Sequence, residues 1–174
     1  MQGVATVNLV LDGGSDRTYV RSDLINKVGF KFLKSEPVSN AVFGKGLPNK
    51  ALMRNVFHCI LQDSRNVDHS LLATEVDVIC TPLFQPATIP EILQSLGDVE
   101  LAHVYDQSEE LKVDILIGLD SYWRFVDPMG GKVLAPGLVA QNTVFGVMLS
   151  GALYESNNLS VHVSHQLLCQ DVSD

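Results

Sequence analysis

Positive charge is scarce in this sequence. The 12 Lys and Arg residues face 20 Asp and Glu, for a formal net charge of −8 and a pI near 4.9. No stretch gathers basic side chains on one face, so the electrostatic footprint of a nucleic-acid or anionic-membrane binder is missing. Cysteine is scarce too. Cys59, Cys80 and Cys169 are odd in number and widely spaced, with no CxxC pair, and the 5 histidines show no ligand spacing. Neither a disulfide scaffold nor a structural metal is expected from such a pattern. Long apolar runs are absent as well: the longest, "VFGVMLSGALY" at 144–154, falls far short of the ~18 residues that suggest a membrane span. Met1 is not followed by a basic segment and an apolar signal region. A soluble intracellular protein, or an internal piece of a polyprotein, is the expectation. No internal repeat and no low-complexity segment interrupts the chain.

What is present is enough apolar residue, 46% of 174, to bury a core of one domain. The pattern is mostly that of strands. "VATVNLVLD" alternates and then turns continuously apolar, as a strand entering a core does, and "TYVRSDLINKVGF" carries apolar residues at helical spacing until Gly29 stops it. "NAVFGKGLPNKALMRNVFHCIL" sets Gly44, Gly46 and Pro48 between two apolar stretches, which predicts a hairpin with a glycine-rich, mobile tip. "HSLLATEVDVIC" predicts a strand. In "TIPEILQSLGDVELA", Thr88 as N-cap, Pro90 in the first turn and Gly97 past the end predict a short helix. "VDILIGLDSYW" predicts a strand closed by glycine and then one or two helical turns. "DPMGGKVLAPG" reads as turn chemistry, "NTVFGVMLSGALY" as one more strand, and the C-terminal stretch as a weak period-two segment with a polar tail.

Two features carry chemistry. Asp12-Gly13-Gly14-Ser15 ends the first apolar strand, and Ile115-Leu116-Ile117-Gly118 is a hydrophobic-hydrophobic-Gly run much later in the chain. A carboxylate at a strand tip needs backbone close by, and glycines permit that approach while turn amides donate to the carboxylate. Two carboxyl groups within ~3 Å share one proton, because like charges that close cannot both ionise, and one then serves as base and the other as acid.

Together these features resemble the aspartic protease construction. "LDGGSDRTYV", "VFGKG", "VDILIGLDSYW" and "NTVFGVMLSG", in that order, resemble the retropepsin-like protease domain of Pao/BEL long-terminal-repeat retrotransposons over residues 4–151. The resemblance implies an all-β chain with one or two short helices, folded as a retropepsin-like closed β-barrel with one lobe per chain. It implies a protease domain over 1–151 and an extension over 152–174 that adds a strand or forms a tail. It implies a homodimer with Asp12 as the catalytic residue of each subunit, Gly13, Gly14 and Ser15 completing the active-site turn, and Ile117 and Gly118 in the supporting strand. Phe43, Gly44, Lys45 and Gly46 belong to a flap over 43–50. The activity implied is aspartic endopeptidase cleavage of the element's own polyprotein, in the cytoplasm or within the element's particles, with no cofactor, metal, nucleic acid or membrane. The family has Ser or Thr where this chain has Gly13, which makes a catalytically inactive dimerisation or peptide-binding module the competing expectation. Only 11 residues precede Asp12, so the strand with which such domains begin is expected to be missing.

Other residues read as structural. Asp120 suits a helix N-cap or a salt bridge. His58 and Cys59 are adjacent in a strand and point to opposite faces, so they form no catalytic pair. Asp16 and Arg17 are expected to pair with one another, and Tyr122 and Trp123 to pack in the core, with dimer packing as the alternative.

Overall fold

The run that opens the chain is alternating at first because only one face of its strand is covered, and continuous later because both are. In the computed structural model, β1 (Ala5–Leu11) buries Ala5, Val7, Leu9 and Leu11 in the main core. Val10, on the opposite face, is covered by a second cluster with Leu111 and Val113. The structure describes residues 4–39, 50–63, 65–84, 97, 101–102, 110–154, 160–163 and 167–173, with backbone alone for 84 and 152–173.

After β1 come β2 (Tyr19–Arg21), α1 (Ser22–Val28), β3 (Lys31–Val38), β4 (Leu52–Gln62), β5 (Asp68–Val76), β6 (Leu83–Phe84), β7 (Glu110–Leu111) and β8 (Ile115–Ile117). They are followed by α2 (Leu119–Tyr122), β9 (Val126–Ala135), β10 (Leu138–Thr143), β11 (Gly146–Tyr154), β12 (Ser160–Val163) and β13 (Leu167–Ser173). Among the described residues the chain is thus mostly strand with two short helices, consistent with an all-β protein. The larger sheet has the order β13-β1-β8-β2-β5-β4-β3, and β13 also pairs with β4 through Asp171↔Gln62. A smaller sheet runs β12-β11-β10-β9, and β6 pairs with β7. Phe125 and Phe145 stack with ring centroids 5.3 Å apart and bring the smaller sheet's turn into the main core.

Helix α1 buries Leu24, Ile25 and Val28 and ends at Gly29, whose φ of 86° is the left-handed conformation and whose N–H donates to the Ile25 carbonyl at 2.8 Å. Just before it, the buried Arg21 is held by Asp114 Oδ1 at 2.9 Å and Asp23 Oδ2 at 2.7 Å. Burial pushes the Asp114 carboxyl up, against the hydrogen bond from the Asn8 N–H and the charge of Arg21. At the β4–β5 turn, burial likewise works to raise the Asp63 carboxyl. Hydrogen bonds from the Val67 N–H, His69 and Arg65 overcome it and hold the group at about 2.

Three expectations are corrected. The segment 127–137 is not merely turn: most of it is β9, paired with β10 through two register shifts that accommodate its glycines and leave Pro128 on an edge strand. β10 itself, not expected as a strand, makes a hairpin with β11 through the turn at Val144 and Phe145. β3 also went unforeseen. It pairs on one side only, with β4, and is exposed along most of its length, so it carries neither an alternating pattern nor a continuous apolar run. The 43–46 flap residues and most of the predicted 88–97 helix lie outside the described residues; the strands flanking the flap segment, β3 and β4, pair up to Val38↔Leu52.

Candidate functional site

β1 runs out at Leu11, and the chain reverses through Asp12, Gly13, Gly14 and Ser15 before entering β2. The reversal is tight. The Ser15 N–H donates to the Asp12 carbonyl at 3.2 Å, and the Gly14 N–H donates to Asp12 Oδ1 at 2.9 Å, so the carboxylate is held by its own turn. A Cβ at Gly14 would lie 3.2 Å from that same Oδ1, a tight contact to which the carboxylate would have to yield by a few tenths of an ångström. Ser15 spends its hydroxyl on the Arg17 carbonyl at 2.9 Å rather than on the carboxylate.

β8 lies between the strands on either side of this turn, parallel to β1 through Leu9↔Ile115, Val10↔Leu116 and Leu11↔Ile117 and antiparallel to β2 through Tyr19↔Leu116 and Val20↔Ile115. The Asp12 N–H donates to the Ile117 carbonyl at 2.9 Å, and the Leu119 N–H donates to the Ser15 carbonyl at 2.7 Å. Between those two bonds sits Gly118. A Cβ on it would lie 2.1 Å from the Arg17 carbonyl oxygen and 2.4 Å from the carbonyl carbon, so the close passage of two backbones requires glycine there. Its φ of −87° makes no such demand.

Thr18 completes the junction, and sequence reasoning had passed over it. Fully buried, it donates its hydroxyl to Asp120 Oδ1 at 2.6 Å and its N–H to Asp120 Oδ2 at 3.0 Å. Its Oγ1 in turn accepts the Gly118 N–H at 3.1 Å. Asp120 is therefore not the N-cap, a position that Gly118 occupies, and among the described residues it forms no ion pair; its carboxylate accepts from Thr18 instead. The only sequence signal for this role was a threonine and an aspartate each following a glycine-containing turn, and nothing local says that they meet.

α2 then presents its residues unequally. Tyr122 is half-buried against the main core, and a Cβ at Gly13 would lie 3.8 Å from its Cε2. Burial raises the Tyr122 phenol above its ordinary value, and the charge of Asp12 adds to the rise. Trp123, expected in the core, is 59% exposed and meets Tyr122 edge-on with centroids 5.0 Å apart. Arg17 forms its ion pair with Glu36 at 2.6 Å, not with the neighbouring Asp16. Cys59 is buried while His58 Nε2 lies 2.6 Å from Ser70 Oγ, on the other face of β4.

No known protein family, curated protein or solved structure matches this chain.

The arrangement therefore brings Asp12, Gly13, Gly14, Ser15, Ile117 and Gly118 into one junction, together with Thr18, Asp120 and Tyr122. Its chemistry is that of one half-buried carboxylate on a rigid backbone support. Asp120, whose two oxygens each accept a hydrogen bond from Thr18, serves as a brace between β8 and the Asp12 turn. Among the described residues no group of His, Cys, Asp and Glu is arranged to hold a metal ion, and no helix is long and apolar enough to cross a membrane.

Proposed function

We propose that this chain is an aspartic endopeptidase of the retropepsin type, similar to the protease domain of Pao/BEL retrotransposons. The observation that carries the reading is β8 passing between the two arms of the Asp12 turn, with Gly118 against the Arg17 backbone and the Asp12 N–H on the Ile117 carbonyl. A rigid, backbone-held carboxylate at the end of a strand is what acid–base work on a bound water needs. As in the domains it resembles, the second carboxylate is Asp12 of another copy, and the active species is a homodimer. Two such groups share a proton. The ionised one takes a proton from the water as its oxygen bonds to the scissile carbonyl carbon, and the protonated one gives its proton to the carbonyl oxygen. Collapse of the tetrahedral intermediate breaks the C–N bond, with a proton delivered to the leaving amine.

The closed barrel belongs to the same proposal, and β13, which pairs with both β1 and β4, is the strand through which the larger sheet would close. So do a flap over 43–50, an extended substrate from the element's own polyprotein and a cytoplasmic or particle-bound setting. An extended peptide pairs its backbone with strand edges and places alternate side chains in apolar subsites.

The test is cleavage of the flanking polyprotein by the purified chain at mildly acid pH, with and without a statine-type inhibitor, beside the Asp12→Asn variant. Cleavage that the inhibitor stops and Asp12→Asn abolishes, in a variant that remains folded, is expected. Turnover retained by Asp12→Asn refutes the assignment. Gly13 favours a second reading, an inactive peptide-binding or dimerisation module, because a glycine cannot supply the hydroxyl that position 13 carries in the similar domains. Peptide binding by a dimer that never cleaves would establish it.

A further inference from the structure

The second residue of the Asp12 turn has no side chain, and the ring of Tyr122 borders the place that one would occupy. A Cβ built on Gly13 would meet Cε2, Cζ and Cδ2 of Tyr122 at 3.8, 3.9 and 4.0 Å, so one edge of the phenol ring faces the turn with about a methyl group's room between them. The ring is itself fixed. The Tyr122 N–H donates to the Gly118 carbonyl at 2.8 Å, its carbonyl accepts the Phe125 N–H at 3.0 Å, its side chain packs against the main core, and Trp123 meets it edge-on. Gly118 is the residue that touches the Arg17 backbone. The helix that carries the ring is therefore anchored to the same turn that the ring supports.

We infer that Tyr122 is a positioning residue for Asp12: its ring is the wall that limits how far the Gly13–Gly14 backbone, and through the Gly14 N–H the carboxylate, can move on that side. Without a side chain of its own, Gly13 has no rotamer to lock and no hydroxyl to bond, and two successive glycines have more backbone freedom than any other pair. A packed ring restricts that freedom from outside. Burial, and then the charge of Asp12, raise the phenol above its ordinary value, so the ring stays neutral beside the carboxylate at neutral and acid pH. The ring's shape, not its hydroxyl, carries the role.

This inference rests on Asp12 being the reacting carboxylate, but part of its test does not. The uncleaved chain and its Tyr122→Phe, Tyr122→Leu and Tyr122→Ala variants are compared by the solvent-exchange rate of the Gly14 amide in 15N NMR and by kcat and KM on a polyprotein peptide. Tyr122→Phe keeps the ring and is expected to match the wild type in both. Tyr122→Leu and Tyr122→Ala remove the wall: Gly14 exchange should rise by about tenfold as its bond to Asp12 opens more often. Turnover should fall by roughly 10- to 100-fold with KM little changed, the signature of a misplaced reacting group. Leucine keeps apolar bulk in the core, so it decides the matter if the alanine variant fails to fold. Unchanged Gly14 exchange in the leucine or alanine variant, a loss in Tyr122→Phe equal to that in Tyr122→Ala, or faster exchange with unchanged kcat overturns the inference. A wild type that cleaves nothing sinks the proposed function instead, and Gly14 exchange then judges Tyr122 alone.

Discussion

Replacing Gly118 with alanine adds one methyl group where two backbones pass. The φ of −87° at Gly118 suits any residue, so the substitution carries no dihedral strain, and its whole effect is steric. The added carbon would lie 2.1 Å from the Arg17 carbonyl oxygen, 2.4 Å from the carbonyl carbon and 2.8 Å from the Arg17 nitrogen. None of these is the end of a flexible side chain, so β8 or the 15–18 segment has to move. Such a shift strains the Asp12 N–H to Ile117 and Leu119 N–H to Ser15 bonds on either side. Overpacking a well-filled site costs typically 1–3 kcal/mol, and a contact this short against backbone belongs at about 3 kcal/mol or beyond. For a chain of this size a loss of ~3 kcal/mol lowers Tm by roughly 6–12 °C. In urea, with a slope of about 2 kcal/mol per M, the midpoint falls by about 1.5 M. Gly29→Ala is the matched control: it has nothing within 4 Å but a φ of +86°, so only the left-handed backbone penalty of about 1–2 kcal/mol applies. Thermal unfolding by circular dichroism should therefore rank wild type above Gly29→Ala above Gly118→Ala. A Gly118→Ala protein melting within about 2 °C of wild type would refute the threading of β8 through the turn.

Thr18→Val keeps the shape of a fully buried side chain but removes the hydroxyl that Asp120 Oδ1 and the Gly118 N–H both use, and leaving them unpaired should cost about 1–3 kcal/mol in urea unfolding. Gly13 is not at positive φ, and a Cβ there meets Tyr122 at ordinary contact distance, so Gly13→Ser should be tolerated. It should gain about 0.4–1 kcal/mol from the less flexible unfolded chain, and sedimentation should show dimer association at least as tight as in wild type; weaker association would count against a shared active-site turn. Asp63 is held at about 2 against an ordinary 3.8, so its contribution to stability is present above pH ~4 and is lost as pH falls from there through 2. Asp63→Asn should be less stable than wild type at neutral pH, with the gap between the two closing in acid titrations below pH ~4, and a constant gap across that range would refute the assignment.

Local sequence determines those parts of this protein whose environment repeats with the chain. The alternation of Ala5, Val7, Leu9 and Leu11 marks β1, helical spacing marks Leu24, Ile25 and Val28, and Gly29 stops the helix because only it readily takes a left-handed φ. Asp12 followed by two glycines signals a turn in which backbone cradles a carboxylate. Tertiary structure alone decided what meets what. Edge strands such as β3 and β9 are exposed along most of their length, so no periodic burial is written into them, and their pairing comes from partners elsewhere in the chain. Trp123 is exposed and Tyr122 is not because the short helix α2 has one side on the Asp12 turn and the other in solvent, an orientation that its four residues cannot encode. Thr18 binds Asp120 because β8 enters between β1 and β2, and Arg17 pairs with Glu36 of β3 instead of its neighbour Asp16. That insertion joins segments about a hundred residues apart, and the loop-closure entropy opposing it is offset only by packing formed once the whole core has assembled.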